Sequence, residues 1–188
     1  MGIVNANGAG SFSFSGDENK GGGLAPVSAS GTYTVDSASG RTLISAGAVV
    51  YLVDKNHGFA GFVNTAVESG TLDLQTGSSF TNATLKATFF FGTTNQVEQN
   101  VSDNSGVATF NGAGAVTGTS DSASIGSVLN PGQPFSDTYF VTNGTGTPGR
   151  GTITGSGTNL IFYIVSPTKA VLMDASTNTN PAITIGEQ

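Results

Sequence analysis

The chain has no cysteine, no tryptophan and a single histidine among its 188 residues, and only 10% of them are charged. Without cysteine it has no disulfide framework, no thiolate zinc site and no Cys–His catalytic pair. Lys and Arg number six against twelve Asp and Glu, for a net charge of -6. Proteins that bind phosphate backbones need a surplus of Lys and Arg, so this balance predicts no nucleic-acid partner.

Long hydrophobic runs are lacking as well. No stretch of about 18 apolar residues occurs, which predicts that no helix spans a membrane. The first ten residues have neither the basic region nor the apolar core of a secretory signal. Hydrophobic residues still make up 37% of the chain, which is enough for a core. We therefore expect a folded protein.

Glycine is abundant, with 28 residues, and Gly, Ser, Thr and Asn recur every few positions. No 12-residue window combines the apolar spacing of a helix with good helix formers. Short β-rich runs bounded by turn residues occur instead. The sequence predicts an all-β protein, an antiparallel meander of about fifteen strands joined by glycine- and asparagine-containing turns.

The two halves of the chain resemble each other. One fixed offset places residues 2–10 over 106–114 and Asp17 over Asp121. With small insertions the match continues through Arg41 over Arg150 and Tyr51 over Tyr163 to residues 69–75 over 182–188. We predict a tandem duplication, with a first repeat at 1–77 and a second at 78–188, each a small β-barrel or β-sandwich.

A predicted strand at 83–92 begins the second repeat, and its apolar residues alternate onto one face. The first repeat has no counterpart of it, so we expect about seven strands there against about eight, the number that closes a small barrel. A missing strand leaves an edge that recruits other strands. The segment 83–92 either completes its own repeat or is donated across a subunit boundary. The residues predicted to act in assembly are Leu85, Ala87, Phe89, Phe91, Ile3, Phe12, Ile183 and Ile185.

Three stretches of sequence carry a resemblance to a known class of repeat: residues 31–41, 75–83 and 159–174. They resemble the repeat units of very large exported bacterial proteins, known as β-strand-repeat or Ig-like-repeat proteins. The resemblance implies secretion to the cell surface and a structural or adhesive role. It implies no catalytic residues.

Calcium is the one cofactor for which the sequence offers ligands, because acidic and amide oxygens recur in its turns. Neither the stretch 54–58 nor the stretch 103–106 has the ligand count of an EF-hand loop, and such turns form without metal. Turn capping is therefore the alternative role. The weak candidate ligands are Asp17, Asp121, Asp54, Asn56 and Asp103.

A hydrolase triad would have to use His57, and no Gly-x-Ser-x-Gly elbow accompanies it. We interpret His57 as an exposed turn residue and expect no enzymatic activity and no cofactor. The sequence predicts an extracellular or cell-surface structural protein that associates with itself through sheet edges, into filaments or a surface layer. The alternative is a lipocalin-like or adhesin-type module that binds a small apolar ligand or a surface glycan.

Overall fold

A computed structural model describes residues 1–19, 23–45, 47–63, 67–77, 79–94, 102–124, 129–175 and 182–188. In these ranges the chain forms fifteen β-strands and one short 3-10 helix. All the strand pairings are antiparallel and follow the chain order, apart from the contact that closes a barrel. The predicted all-β class is confirmed.

The strands have the following bounds. The first seven are β1 (Gly2–Ala6), β2 (Ser11–Asn19), β3 (Leu24–Val35), β4 (Arg41–Ile44), β5 (Ala48–Leu52), β6 (His57–Val63) and β7 (Val67–Asp73). After the 3-10 helix Asn82–Leu85 come β8 (Thr88–Thr93), β9 (Ser102–Phe110), β10 (Ala115–Ser124), β11 (Asn130–Val141), β12 (Arg150–Thr154), β13 (Asn159–Ser166), β14 (Lys169–Asp174) and β15 (Ile183–Glu187).

The chain divides into two compact units. The barrel unit contains Gly77–Gln188 together with Met1 and Asp17–Ala25. The open-sheet unit contains Gly2–Gly16 and Pro26–Thr76. The units are therefore not contiguous in sequence, because the end of β2 and the start of β3 belong with the second half of the chain.

The barrel unit is a closed eight-stranded barrel in the order β10-β11-β12-β13-β14-β15-β8-β9. Strand β8 pairs with β9 on one side and with β15 on the other, so it is the strand that closes the ring. Eight strands leave an interior that side chains can fill. Of the two architectures that the sequence left open, this half of the chain adopts the barrel.

Aromatic side chains form much of the barrel core. Phe110 lies edge-on to both Phe89 and Tyr139, with ring centroids 5.5 and 4.9 Å apart. Phe80 and Leu85, which precede β8, are each 1% exposed and belong to the same core. Such edge-to-face contacts add to the stabilisation from apolar burial.

The predicted strand at 83–92 begins later than expected. Residues Asn82–Leu85 form the 3-10 helix, and extended backbone starts only at Thr88. The Thr84 hydroxyl accepts the Thr81 backbone N–H at 3.0 Å, which caps the helical turn. Asn82 ties the turn to β11, because its side-chain oxygen accepts the Val141 N–H at 2.9 Å. One local hydrogen bond and one long-range hydrogen bond thus outweigh the strand-like alternation of apolar residues.

The open-sheet unit has seven strands in the order β1-β2-β3-β4-β5-β6-β7. Among the described residues, β1 pairs only with β2 and β7 pairs only with β6, so both edges are free. Only Ala48 and Val50, two of the eighteen buried hydrophobic residues identified in the described chain, lie in this unit. In its described residues the unit therefore has few fully buried apolar side chains.

Candidate functional site

The free edges of β1 and β7 are the main candidate site. Natural edge strands are usually protected by lysine, proline, a bulge or a covering loop. Strand β1 has the sequence Gly-Ile-Val-Asn-Ala, without charge or proline, and its pairing with β2 runs in regular register over all five residues. It therefore presents an unprotected row of backbone donors and acceptors.

Exposed apolar side chains accompany these edges. Eight of the twelve exposed large hydrophobic residues lie in the open-sheet unit. Tyr51 and Phe59 are directly opposite on β5 and β6 and are 51% and 60% exposed. Leu52, on the other face of the sheet, is 45% exposed. Exposed apolar surface beside a free edge marks a site of association. The eight residues are Val4, Val35, Leu43, Tyr51, Leu52, Val53, Phe59 and Leu74.

A buried carboxylate defines a second site, within the barrel unit. Asp17, at the end of β2, is 4% exposed. Its carboxylate accepts hydrogen bonds from Arg150 Nε at 2.7 Å and Nη2 at 3.0 Å, a bidentate pair. The Tyr163 hydroxyl donates a third at 2.5 Å. Arg150 and Tyr163 are directly opposite on β12 and β13, so the barrel itself positions both donors.

The electrostatics of this site favour the charged carboxylate. Burial opposes ionisation of Asp17, but the hydrogen bonds from Arg150 and Tyr163 outweigh it and hold its pKa below the ordinary value. Burial and the neighbouring carboxylate both raise the pKa of Tyr163. The hydrogen bond to Asp17 raises the pKa of Arg150. The cluster is a neutralised, hydrogen-bonded ion pair, which leaves it suited to holding structure together rather than to proton transfer.

A cavity of about 390 Å³ inside the barrel is a third site. Its wall is partly aromatic, and Asp137 on β11 contributes a carboxylate. Asp137 is only 9% exposed, yet none of the described residues donates a hydrogen bond to its side chain. The apolar lining includes Phe89, Phe91, Phe135, Leu160, Phe162 and Leu172, and the polar lining includes Asn104, Ser120, Asn159 and Asp174.

The residues predicted to act in assembly fall into two groups. Leu85 and Phe89 are in the barrel core, and Ala87 and Phe91 pack against it. Strand β8 thus completes its own barrel, which is one of the two arrangements that the sequence left open. The others lie half-buried in strands: Ile3 on β1, Phe12 on β2, and Ile183 and Ile185 on β15.

The predicted calcium ligands are separated in the structure. Asp54 caps a turn, because its Oδ1 accepts the backbone N–H groups of Asn56 at 2.6 Å and His57 at 2.9 Å. Asp121 Oδ1 accepts the Gly132 N–H at 2.6 Å. Asp103 lies inside β9 opposite Ala123, so the loop expected around it is wrong. Within the described ranges no three His, Cys, Asp or Glu residues come close enough to hold a metal ion.

His57 has a 57% exposed side chain, as expected, but it is the first residue of β6 and not part of the preceding turn. Its Nδ1 is 3.3 Å from the Asp54 carboxylate and its Nε2 is 3.7 Å from Asp73 Oδ1. The Asp54 side chain is 53% exposed and the Asp73 side chain only 16% exposed. None of the three residues lines a described cavity.

Comparisons with known proteins give no relative: no family model, no curated protein and no solved structure matches the chain. In the part of the chain that the structure describes, no helix is long and apolar enough to cross a membrane.

Several important residues were missed in the sequence. Arg150 and Tyr163 have counterparts of the same residue type in the first repeat. That recurrence shows that both repeats have the same residue there, but it does not show which group the residue contacts. Nothing in the sequence singled out Asp137 as a site residue, because the residue aligned with it in the first repeat is Gly31. The available clue was that Asp, Arg and Tyr recur at matching positions of the two repeats, at an offset that rises along the chain.

Proposed function

We propose that this protein is a structural protein that associates with itself through the free edges β1 and β7. The observation that carries the proposal is the contrast between its two units. In the barrel unit β8 joins the two ends of the sheet, whereas among the described residues no strand joins β7 to β1 in the open-sheet unit. A strand added from another copy would extend the sheet and pair the outward-facing backbone groups of its edge.

The energetics support association. Val4 on β1 is 44% exposed, and fully burying a Val side chain stabilises by about 1.5 to 3 kcal/mol, so covering Val4 contributes about 1 kcal/mol. New backbone hydrogen bonds along the edge add to this. Since β1 and β7 are different strands, pairing β7 of one copy with β1 of the next is a heterologous contact, which produces a closed ring or an open fibre according to the rotation between copies. The proposed assembly is the open fibre or layer.

The cellular setting is part of the same proposal. A chain without cysteine, low in charge and rich in Gly, Ser and Thr fits a surface assembly, and its resemblance to exported repeat proteins supports an extracellular or cell-surface location. We propose a filament or surface-layer role, with adhesion as a related role. Neither catalysis nor a cofactor is part of the proposal.

The test uses edge variants and size measurement. A Val4→Lys, Thr71→Lys double variant places one lysine on each free edge, and Thr117→Lys, Thr119→Lys places the same charges on exposed positions of β10, which is paired on both sides. Light scattering after gel filtration and negative-stain imaging should show multimers for the wild type and the β10 variant, and monomers for the edge variant. Monomeric wild-type protein, or equal assembly of both variants, would refute the proposal.

A second candidate function is small-ligand binding in the barrel, favoured by the cavity and by the Asp137 carboxylate, to which no described residue donates. The chemistry fits an apolar molecule with a cationic head. Calorimetry with n-octylamine and n-octanol should show at least about tenfold tighter binding of the amine. Asp137→Asn should remove that preference, and Asp103→Asn, at an exposed carboxylate, should not. Equal affinities, or no heat of binding, would exclude this function.

A further inference from the structure

Both repeats contain the same cross-strand pair of donors. Arg150 on β12 is directly opposite Tyr163 on β13, and Arg41 on β4 is directly opposite Tyr51 on β5. Residues opposite each other on neighbouring strands project from the same face of the sheet. Each pair therefore combines a planar guanidinium with a phenolic hydroxyl, a combination that suits a carboxylate.

The two pairs differ in occupancy. Asp17 fills the pair in the barrel unit, where Tyr163 is 4% exposed. In the open-sheet unit Tyr51 is 51% exposed, and none of the described residues donates to or accepts from the Arg41 guanidinium or the Tyr51 hydroxyl. The nearby Asp36 is engaged in its own turn, where its carboxylate accepts the Ser39 hydroxyl at 2.6 Å and the Ala38 N–H at 3.0 Å.

The duplication also indicates the missing carboxylate. Asp121 occupies in the second repeat the position that Asp17 occupies in the first, at the fixed offset seen in the sequence. It is exposed on β10. Its Oδ1 accepts the Gly132 N–H, and no described residue donates to its Oδ2. The chain thus has one filled carboxylate site, one empty one and one exposed acid of the matching kind.

We propose that Arg41 and Tyr51 form a docking site for Asp121 of a second copy of this chain. In this contact Arg41 and Tyr51 donate to a carboxylate as Arg150 and Tyr163 donate to Asp17. Each copy therefore contains one such carboxylate contact and one donor pair available for another. Because donor and acceptor lie on different surfaces, the contact is heterologous and links copies into a closed ring or an open chain. The inference rests on the proposed self-association and adds to it the residues that orient neighbouring copies.

Charge reversal tests the contact. Arg41→Asp and Asp121→Arg should each weaken association about thirtyfold or more in sedimentation equilibrium, because each juxtaposes like charges. Mixed in equal amounts, the two variants should regain nearly wild-type association. In the mixture the two substituted side chains are again opposite in charge where they meet, and the other contact pairs the native Arg41 with the native Asp121. Lys55→Asp, an exposed charge reversal in the same unit, should have little effect.

The outcomes separate this inference from the proposed function. If wild-type assembly is lost in the Val4→Lys, Thr71→Lys variant but unchanged in Arg41→Asp, the edges act alone and the docking site is wrong. Assembly that survives the edge variant but depends on Arg41 and Asp121 would support the docking site and refute the edge proposal. Failure of the mixed variants to recover, while each is folded by circular dichroism, would also overturn the inference.

Discussion

At the scale of single residues, the barrel unit depends on a few buried polar and glycine positions. The bidentate pair between Asp17 and Arg150 is more than a surface ion pair, because the Asp17 side chain is only 5% exposed. Removing one partner of such a pair leaves the other charge buried and uncompensated, and costs more than the pair itself contributes.

Asp17→Asn should therefore destabilise the barrel unit by about 3 kcal/mol. Tyr163→Phe should cost less, about 1.5 to 3 kcal/mol, since it removes one hydrogen bond to a charged group. Urea unfolding followed by tyrosine fluorescence measures both. Asp121→Asn is the matched control at an exposed carboxylate of the other repeat, and an effect there as large as that of Asp17→Asn would contradict this account.

The Asp17 site also predicts how stability depends on pH. The folded-state pKa of Asp17 lies below its ordinary value, so its contribution is complete above about pH 4 and is lost as pH falls through the lowered folded-state value. The difference in unfolding free energy between wild type and Asp17→Asn should be constant near neutrality and shrink in acid. A difference that grows on acidification would have the wrong sign.

Gly151 on β12 leaves room for the ring of Phe162. A methyl group there would overlap that ring and the Phe140 carbonyl oxygen. Gly151→Ala should cost about 1 to 3 kcal/mol through overpacking, measured as a lower urea midpoint. Gly92→Ala is the control, because nothing lies within 4 Å of the added methyl group. Equal effects of the two substitutions would show that packing is not the cause.

The open-sheet unit contains a buried polar side chain, that of Thr42. The Thr42 hydroxyl lies on β4 opposite Val50, with no hydrogen-bond partner in the described chain, and the residue is 7% exposed. Replacing it by an apolar group of the same shape removes a desolvation cost of about 1 kcal/mol or more. Thr42→Val should therefore raise the unfolding temperature. A fall in that temperature would indicate that the hydroxyl is satisfied.

Residue roles were the hardest feature to predict. The duplication placed Asp17 and Asp121 at equivalent positions, but a sequence offset does not reveal which side chains a carboxylate meets. Calcium or turn capping was expected at Asp17, and the structure shows an ion pair with Arg150, 133 positions away. Contacts of that separation depend on how strands from distant parts of the chain come together, and local patterns contain no information on that.

At the scale of elements, strand positions were predictable because each strand repeats a local signal of alternating side chains ended by glycine or asparagine. The exception was the start of β8, where hydrogen bonds of Asn82 and Thr84 favour a 3-10 turn. Alternation alone cannot distinguish a buried Leu85 on a strand from one on a helical turn.

Strand β8 itself supplies a test of the free edges. A synthetic peptide of residues 83–93 has the sequence that joins the two ends of the barrel, so it should pair with a free edge of the open-sheet unit and block association of copies. Light scattering should show smaller particles as peptide is added. The same peptide with Phe89→Asp and Phe91→Asp should have little effect. If both peptides act equally, or neither acts, strand addition does not explain assembly.

At the scale of the whole molecule, the chain contains a closed and an open version of one arrangement. Duplication and a strand count of seven against eight were visible in the sequence, since both follow from local pattern and self-similarity. The sequence did not show that one sheet closes and the other does not. Closure depends on pairing between β8 and β15, whose paired residues are more than 90 positions apart in the chain. Among the described residues, one sheet is closed and the other ends at β1 and β7.

Amide hydrogen exchange as a function of protein concentration tests the central claim most directly. We predict that the amides of β1 and β7 that point away from β2 and β6 exchange quickly in dilute protein and become protected as copies associate, while amides of β8, paired on both sides within its barrel, do not change. Particles that grow with concentration while β1 and β7 remain unprotected would contradict assembly through these edges.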